Sequence, residues 1–190
     1  MRKIPNNIEN PLDTILINMA DDVSPVFKKY KFTPNEITTI SILMQIFSSY
    51  LLLNDYYYFS ALFHLVAYFF DCLDGHYARK YNMETKFGDY YDHISDTFKF
   101  AILFYSLYYV NSEKFFKVIP IIIFFLVLSL IHLGCQEKYF VESNSESLTM
   151  LKNICPTKQE NTKKALKLTR FFGCGTLQMA CALAIIYYKY

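Results

Sequence analysis

The chain has too little excess charge for nucleic-acid binding: its formal net charge is only +2 over 190 residues, and no face interleaves basic residues with aromatics. It has no C-x-x-C pair, and its five cysteines are odd in number, which suits neither a disulfide framework nor a zinc site. Cys72, Cys135, Cys155, Cys174 and Cys181 therefore read as small apolar residues in or near helices. The N-terminal stretch MRKIPNNIENPLD has no apolar core of a cleaved signal peptide, so membrane insertion is expected to rely on the first span itself. No internal repeat or low-complexity tract appears. The nearest approach, FVESNSESLT, reads as exposed, mobile chain.

Apolar residues, by contrast, are plentiful. They make up 53% of the chain, with 17 Tyr and 18 Phe, more than a soluble core of this size needs. They also fall in blocks, and blocks of about 18 or more apolar residues indicate membrane spans. The reading is an all-α, polytopic helical membrane protein with about five transmembrane helices and one N-terminal interfacial amphipathic helix, forming a single domain over residues 1–190.

Asn10 is the expected N-cap of the amphipathic helix, Pro11 its first residue, and Leu12, Ile15, Leu16 and Met19 its apolar stripe, with Asp21, Asp22 and Pro25 ending it within a juxtamembrane segment of residues 11–30. The first span is predicted over about 35–53, capped by Thr33 or Asn35 with Pro34 at the helix start. Asn54 and Asp55 mark a turn. The second span begins at Tyr56 to Tyr58 and, with no breaker before Lys80, carries Asp71 to Arg79 at its polar end. After a loop over 80–87, Gly88 opens the third span. A fourth is predicted over about 115–133, with Pro120 inside it, and a fifth over about 171–188, the polar segment 136–170 between them being a long loop with room for a short helix.

Most of the 19 Lys/Arg lie before the first span, between spans two and three, or between four and five. Lys114, Lys117 and Lys189 lie on the other side, and Lys99 lies within a span. This asymmetry predicts a cytoplasmic N-terminus, an aspartate end of spans two and three facing the cytoplasm, and a C-terminus on the opposite side. Tyr56 to Tyr58, Tyr105, Tyr108, Tyr109, Tyr187, Tyr188 and Tyr190 then gather at the far interface as an aromatic belt.

The stretch DCLDGHYARKYNMETKFGDYYDHISD, residues 71–96, holds the chemistry. Asp71 and Asp74 share one helix face, with Ala78 near the same stripe, and Gly88, Asp92 and Asp96 form a second stripe on the next, antiparallel helix. Four carboxylates converging near membrane depth would repel one another and cost several kcal/mol on most scales. Oxygen ligands without His or Cys at ligand spacing favour Mg²⁺ or Mn²⁺, and two such ions bridged by shared aspartates suit phosphoryl displacement. Gly75, Ala78 and Gly88 leave room for a phosphate ligand, and Arg79 offers a planar donor fork for it. Lys99 is expected to pair with Asp96 or to face the cavity.

The run D-x2-D-G-x2-A-R-x8-G-x3-D-x3-D over residues 71–96 resembles, at every specified position, the signature of the CDP-alcohol phosphatidyltransferase family. The resemblance extends to TPNEIT before the first span and more loosely over the five spans. It implies membrane helices around a polar cavity open to the cytoplasm. It also implies that Asp71, Asp74 and Asp92 ligate a dinuclear Mg²⁺ or Mn²⁺ site, with Asp96 completing the second ion's shell and serving as general base. Asn35, Gly75, Ala78, Arg79, Thr85 and Gly88 are the implied CDP contacts, and Asp89 and His93 the implied supporting residues around the site. The DHxxD arrangement of Asp92, His93 and Asp96 resembles the choline and ethanolamine phosphotransferase branch. Relatives commonly have six spans where five are read here.

The expected activity is transfer of a phosphate-linked group from a CDP-alcohol, such as CDP-diacylglycerol or a CDP-aminoalcohol, to the hydroxyl of an alcohol or diacylglycerol, with release of CMP, in phospholipid biosynthesis. Membrane lipids are the surrounding partners, no nucleic acid is expected, and a homodimer is left open. Competing readings are a metal-dependent lipid pyrophosphatase, a divalent-cation transporter and a non-catalytic assembly protein.

Overall fold

The structure, a computed structural model, describes residues 5–139, 152–156 and 161–190. The described residues are all-α: α1 Pro11–Lys29, α2 Pro34–Leu53, α3 Tyr57–Lys80, α4 Lys86–Val110, α5 Ser112–Tyr139, α6 Thr162–Thr169 and α7 Cys174–Tyr187. FVESNSESLT falls outside them. Asn10 caps α1 by accepting from the Leu12 and Asp13 amides, and Thr33 forms a capping box with Glu36 at the start of α2.

α1 runs past the aspartates and the proline expected to stop it. Pro25 has no N–H for the Asp21 carbonyl four residues back. That carbonyl instead accepts from Ser24 Oγ at 2.9 Å and from Lys80 Nζ at 3.0 Å, so the helix continues to Lys29. A side chain of α3 thus completes the backbone of α1.

α2 is polar inside and apolar outside. Thr38, Ser41, Gln45, Ser48 and Ser49 are buried, whereas Leu43, Ile46, Phe47 and Tyr50 are exposed. Small hydroxyl residues permit close helix approach in lipid and satisfy backbone groups across the interface: Ser41 Oγ donates to the Ala67 carbonyl at 2.9 Å and Ser48 Oγ to that of Ser60 at 2.8 Å. α5 likewise presents Phe116, Ile121, Ile123, Phe124 and Val127 outward, a surface made for hydrocarbon. By length and composition α2, α5 and the stretch Thr162–Tyr187 are apolar enough to cross a membrane. α3 and α4 miss that measure because they carry the site's charges.

α2 is the hub on which both α3 and α4 pack, and α3 also packs on α1 and α7. The ends sort as the sequence predicts. Tyr58 meets Tyr190 at 2.9 Å, Lys114 Nζ donates to the Tyr188 carbonyl at 3.0 Å, and Tyr188 Oη donates to the Asn111 carbonyl at 3.4 Å. The start of α3, the α4–α5 connection and the C-terminus therefore share one end, opposite the acidic end of α3 and α4.

Two further expectations are corrected. α5 continues to Tyr139, so the connection after it is shorter than 136–170, while the short helix allowed for within it is α6. Cys135 and Cys155 are joined by a disulfide, their Cα atoms 4.8 Å apart. Pairing at a sequence separation of 20 depends on how residues 152–156 fold back on α5, which spacing alone does not encode. Cys72, Cys174 and Cys181 are free, as small helical residues.

Candidate active site

Five residues, 81–85, connect α3 to α4. Asn82 takes a left-handed conformation, φ 53°, which asparagine tolerates. Thr85 caps α4 by accepting from the Gly88 amide at 3.0 Å. This turn sets the two acidic stripes side by side.

One oxygen each from Asp71, Asp74 and Asp92 lie within 4.8 Å of one another, and Asp92, His93 and Asp96 form a second group on the same measure. Asp92 belongs to both, the arrangement that two ions sharing a bridging carboxylate require. Asp74 Oδ2 and Asp92 Oδ1 are buried and have no hydrogen-bond partner. Buried carboxylate oxygens without a donor are costly, and a divalent cation bound by hard oxygen ligands satisfies them. The donor set therefore fits Mg²⁺ or a similar ion.

Lys99 sits at the edge of the cluster. Its ammonium bonds Asp71, reaches Asp96 Oδ1 at 2.9 Å and donates to Ser41 Oγ at 3.1 Å. The pairing with Asp96 is the expected one along α4, and the bond to Asp71 ties α4 to α3.

A cavity of about 120 Å³ opens beside the carboxylates, lined by Asn35, Thr38, Asp74, Gly75, Ala78, Arg79, Thr85, Gly88, Asp89 and Asp92 among others. All six residues predicted to contact CDP line it. Gly75 serves a purpose the sequence does not reveal, since a Cβ there would lie 3.2 Å from Arg79 Nη1, so the glycine makes room for the guanidinium itself. A Cβ on Gly88 would meet Thr85 Oγ1 at 3.1 Å and Asn35 Oδ1 at 3.3 Å, so this glycine lets α2 and the start of α4 close around the cavity. Thr38, Met83 and Glu84 also line it. The only sequence signal for Thr38 is its place one turn beyond Asn35.

Asp96 lies outside that cavity. Its side chain is 41% exposed and faces a second space, lined by Gln45, His64, Lys99 and Gln178 among others. His93 stands near Asp89 at 3.6 Å, beyond a hydrogen bond. His76 turns away from the site to Asp21 Oδ1 at 2.8 Å, and Lys80 reaches the same oxygen at 2.8 Å, fastening α1 across the back of α3. The Asp21 carboxyl is held below the ordinary carboxylate range, first by Lys80 and then by His76.

The family model of the CDP-alcohol phosphatidyltransferases matches residues 31–158, which takes in α2 to α5 and every residue of the two carboxylate groups. No curated protein and no solved structure matches the chain.

Proposed function

The chain belongs to the CDP-alcohol phosphatidyltransferase family, and from that premise we propose that it transfers a phosphate-linked group from a CDP-alcohol to an acceptor hydroxyl in phospholipid synthesis, releasing CMP. The observation that supports this reading most is the pair of clusters sharing Asp92, one of three carboxylates and one of two carboxylates with His93, set against a cavity lined by Arg79. Asp71, Asp74, Asp92 and Asp96 are the residues that would hold two divalent ions, which when bound neutralise the carboxylates and draw charge from the diphosphate.

The protein's own groups carry the rest. Arg79, half-buried and with its Nε free of any hydrogen bond, binds a diphosphate oxygen and balances charge on the departing CMP. Asn35, Ala78, Thr85 and Gly88 shape the pocket for the CDP moiety. Asp96 accepts the proton of the acceptor hydroxyl as its oxygen attacks the β-phosphorus. The P–O bond to CMP breaks, and CMP leaves with the bonding pair. A carboxylate is a weak base for an alcohol, so this proton moves as the P–O bond forms. Asp89 and His93 act as supporting groups beside Asp92. The basic residues before α2, between α3 and α4 and within α6 support a five-span reading with this end in the cytoplasm and the C-terminus opposite.

Lipid product analysis tests the assignment. The purified protein in vesicles with Mg²⁺ or Mn²⁺ is offered CDP-diacylglycerol and CDP-ethanolamine in parallel with alcohol acceptors. The expected result is a new phospholipid together with CMP. CMP formed equally well without any alcohol would make it a pyrophosphatase, and divalent-cation uptake with no CMP would make it a transporter.

A further inference from the structure

α6 and the 3₁₀ turn Arg170–Phe172 that follows it take no part in the donor chemistry. Together they carry Lys163, Lys164, Lys167 and Arg170 and no acid. One side of the segment is anchored to the protein. Leu166 is buried against Ile8, Cys135 and Cys155, Arg170 Nη1 donates to the Asn7 carbonyl at 2.9 Å, and the Arg170 carbonyl accepts from Asn10 Nδ2 at 2.7 Å. The anchoring fixes which side faces out. Lys163, Lys164 and Lys167 are exposed there, and so are Leu168 and Phe171, at 75% and 56%. Lys164 and Leu168, four residues apart, share a face of α6, and Phe171 stands one turn further on. Water would suit the lysines but not the leucine and the phenylalanine.

The length of α7 sets the depth of this surface. Its 14 residues span about 21 Å, well short of a hydrocarbon core of about 30 Å. The chain just before α7 must therefore supply the rest of the crossing. The 3₁₀ turn adds about 6 Å and Gly173, which is extended at φ −71° and ψ −175°, about 3 Å. Phe171 and Phe172 then fall at the edge of the hydrocarbon, and α6 falls where acyl chains meet headgroups. Because the helix breaks at Gly173, α6 does not continue the ladder of α7. We propose that α6 and the 3₁₀ turn form a binding surface for anionic phospholipid, with the three lysines on headgroup phosphates and Leu168 and Phe171 in the acyl boundary. Charge complementarity selects the occupant. The phosphate of a zwitterionic lipid is already balanced by its own ammonium, whereas an anionic lipid brings a net charge for each lysine to neutralise. This goes beyond the transferase reading and does not depend on it.

The chain has no tryptophan, so Leu168→Trp and Phe171→Trp each place a single fluorescent reporter on this surface, and two positions guard against one variant failing to fold. Each full-length variant is reconstituted in mixed phosphatidylcholine and phosphatidylglycerol vesicles in which one lipid or the other carries brominated acyl chains. Quenching by the two is compared at equal mole fraction. Both lipids are expected to quench, and the relative affinity should favour phosphatidylglycerol at least about fivefold, the contribution of one lysine beside an anionic surface. That preference should vanish in about 1 M KCl, where the screening length is about 3 Å, and when Lys163, Lys164 and Lys167 are all changed to Gln, with quenching by phosphatidylcholine retained. A tryptophan quenched by neither lipid would show that the segment faces water and would overturn the proposal. Equal quenching by both lipids at low salt would do the same, as would loss of the preference to inorganic phosphate at constant ionic strength, which would assign the lysines to a soluble anion. The readout needs no turnover, so failure to release CMP would overturn the transferase reading and leave this surface standing, and failure here would leave CMP transfer intact.

Discussion

Lys99 stands between the acidic stripes, bonded to both Asp71 and Asp96. Removing one partner of a buried ion pair leaves the other charge uncompensated, at about 3–5 kcal/mol. Lys99→Met is therefore expected to lower the melting temperature markedly in EDTA, and saturating Mg²⁺ should recover most of the loss, because the ion takes over the neutralisation. An equal loss with and without metal would show that Lys99 serves packing alone. Gly75→Ala tests a second contact at this scale. The new Cβ would press on Arg79 Nη1 at 3.2 Å, so the guanidinium must shift and KM for the CDP-alcohol should rise about tenfold; an unchanged KM would show that Arg79 has slack. The four aspartates were legible in sequence because their spacing is periodic along single helices. The Lys99–Asp71 bond and the Gly75–Arg79 contact were less so, since one depends on the distance between α3 and α4 and the other on a rotamer.

Among the elements, α1 was only half legible. Its cap and apolar stripe are local signals, but its length depends on Lys80 and Ser24 replacing the hydrogen bond that Pro25 cannot make. Its first turn is also fixed by tertiary contacts: Asn10 Nδ2 donates to the Arg170 carbonyl at 2.7 Å, and Asp13 Oδ1 accepts from Tyr68 Oη at 2.6 Å. Burial raises the Asp13 carboxyl to about 6, against about 3.9 in an unfolded chain. An acid whose folded value is raised stabilises the fold most when protonated, so its contribution is full below about pH 4 and lost as pH rises through 6. The change is on the order of 3 kcal/mol. The melting temperature of the wild type should therefore decline between pH 4 and 7 by an amount that Asp13→Asn removes. A decline of the same size in the variant would assign the effect to other groups.

At the scale of the whole molecule, the all-α character and the long apolar helices were readable from apolar blocks, because the bilayer imposes its pattern on every helix at once. The Cys135–Cys155 bond was not, because it joins the end of α5 to a segment positioned only by the folded chain. Alkylation of the denatured but unreduced protein is expected to modify Cys72, Cys174 and Cys181, with Cys135 and Cys155 reacting only after reduction; reaction of all five cysteines without reductant would contradict the pairing.

The central claim is that the two carboxylate groups joined at Asp92 carry out metal-dependent transfer from a CDP-alcohol. The most direct measurement is CMP release by the reconstituted protein as Mg²⁺ or Mn²⁺ is titrated, comparing the wild type with Asp71→Asn and Asp92→Asn. The account predicts saturable metal dependence in the wild type and a loss of at least about a thousandfold in each variant, a barrier increase of about 4 kcal/mol. Retained CMP release with an unaltered metal response in either variant would contradict it.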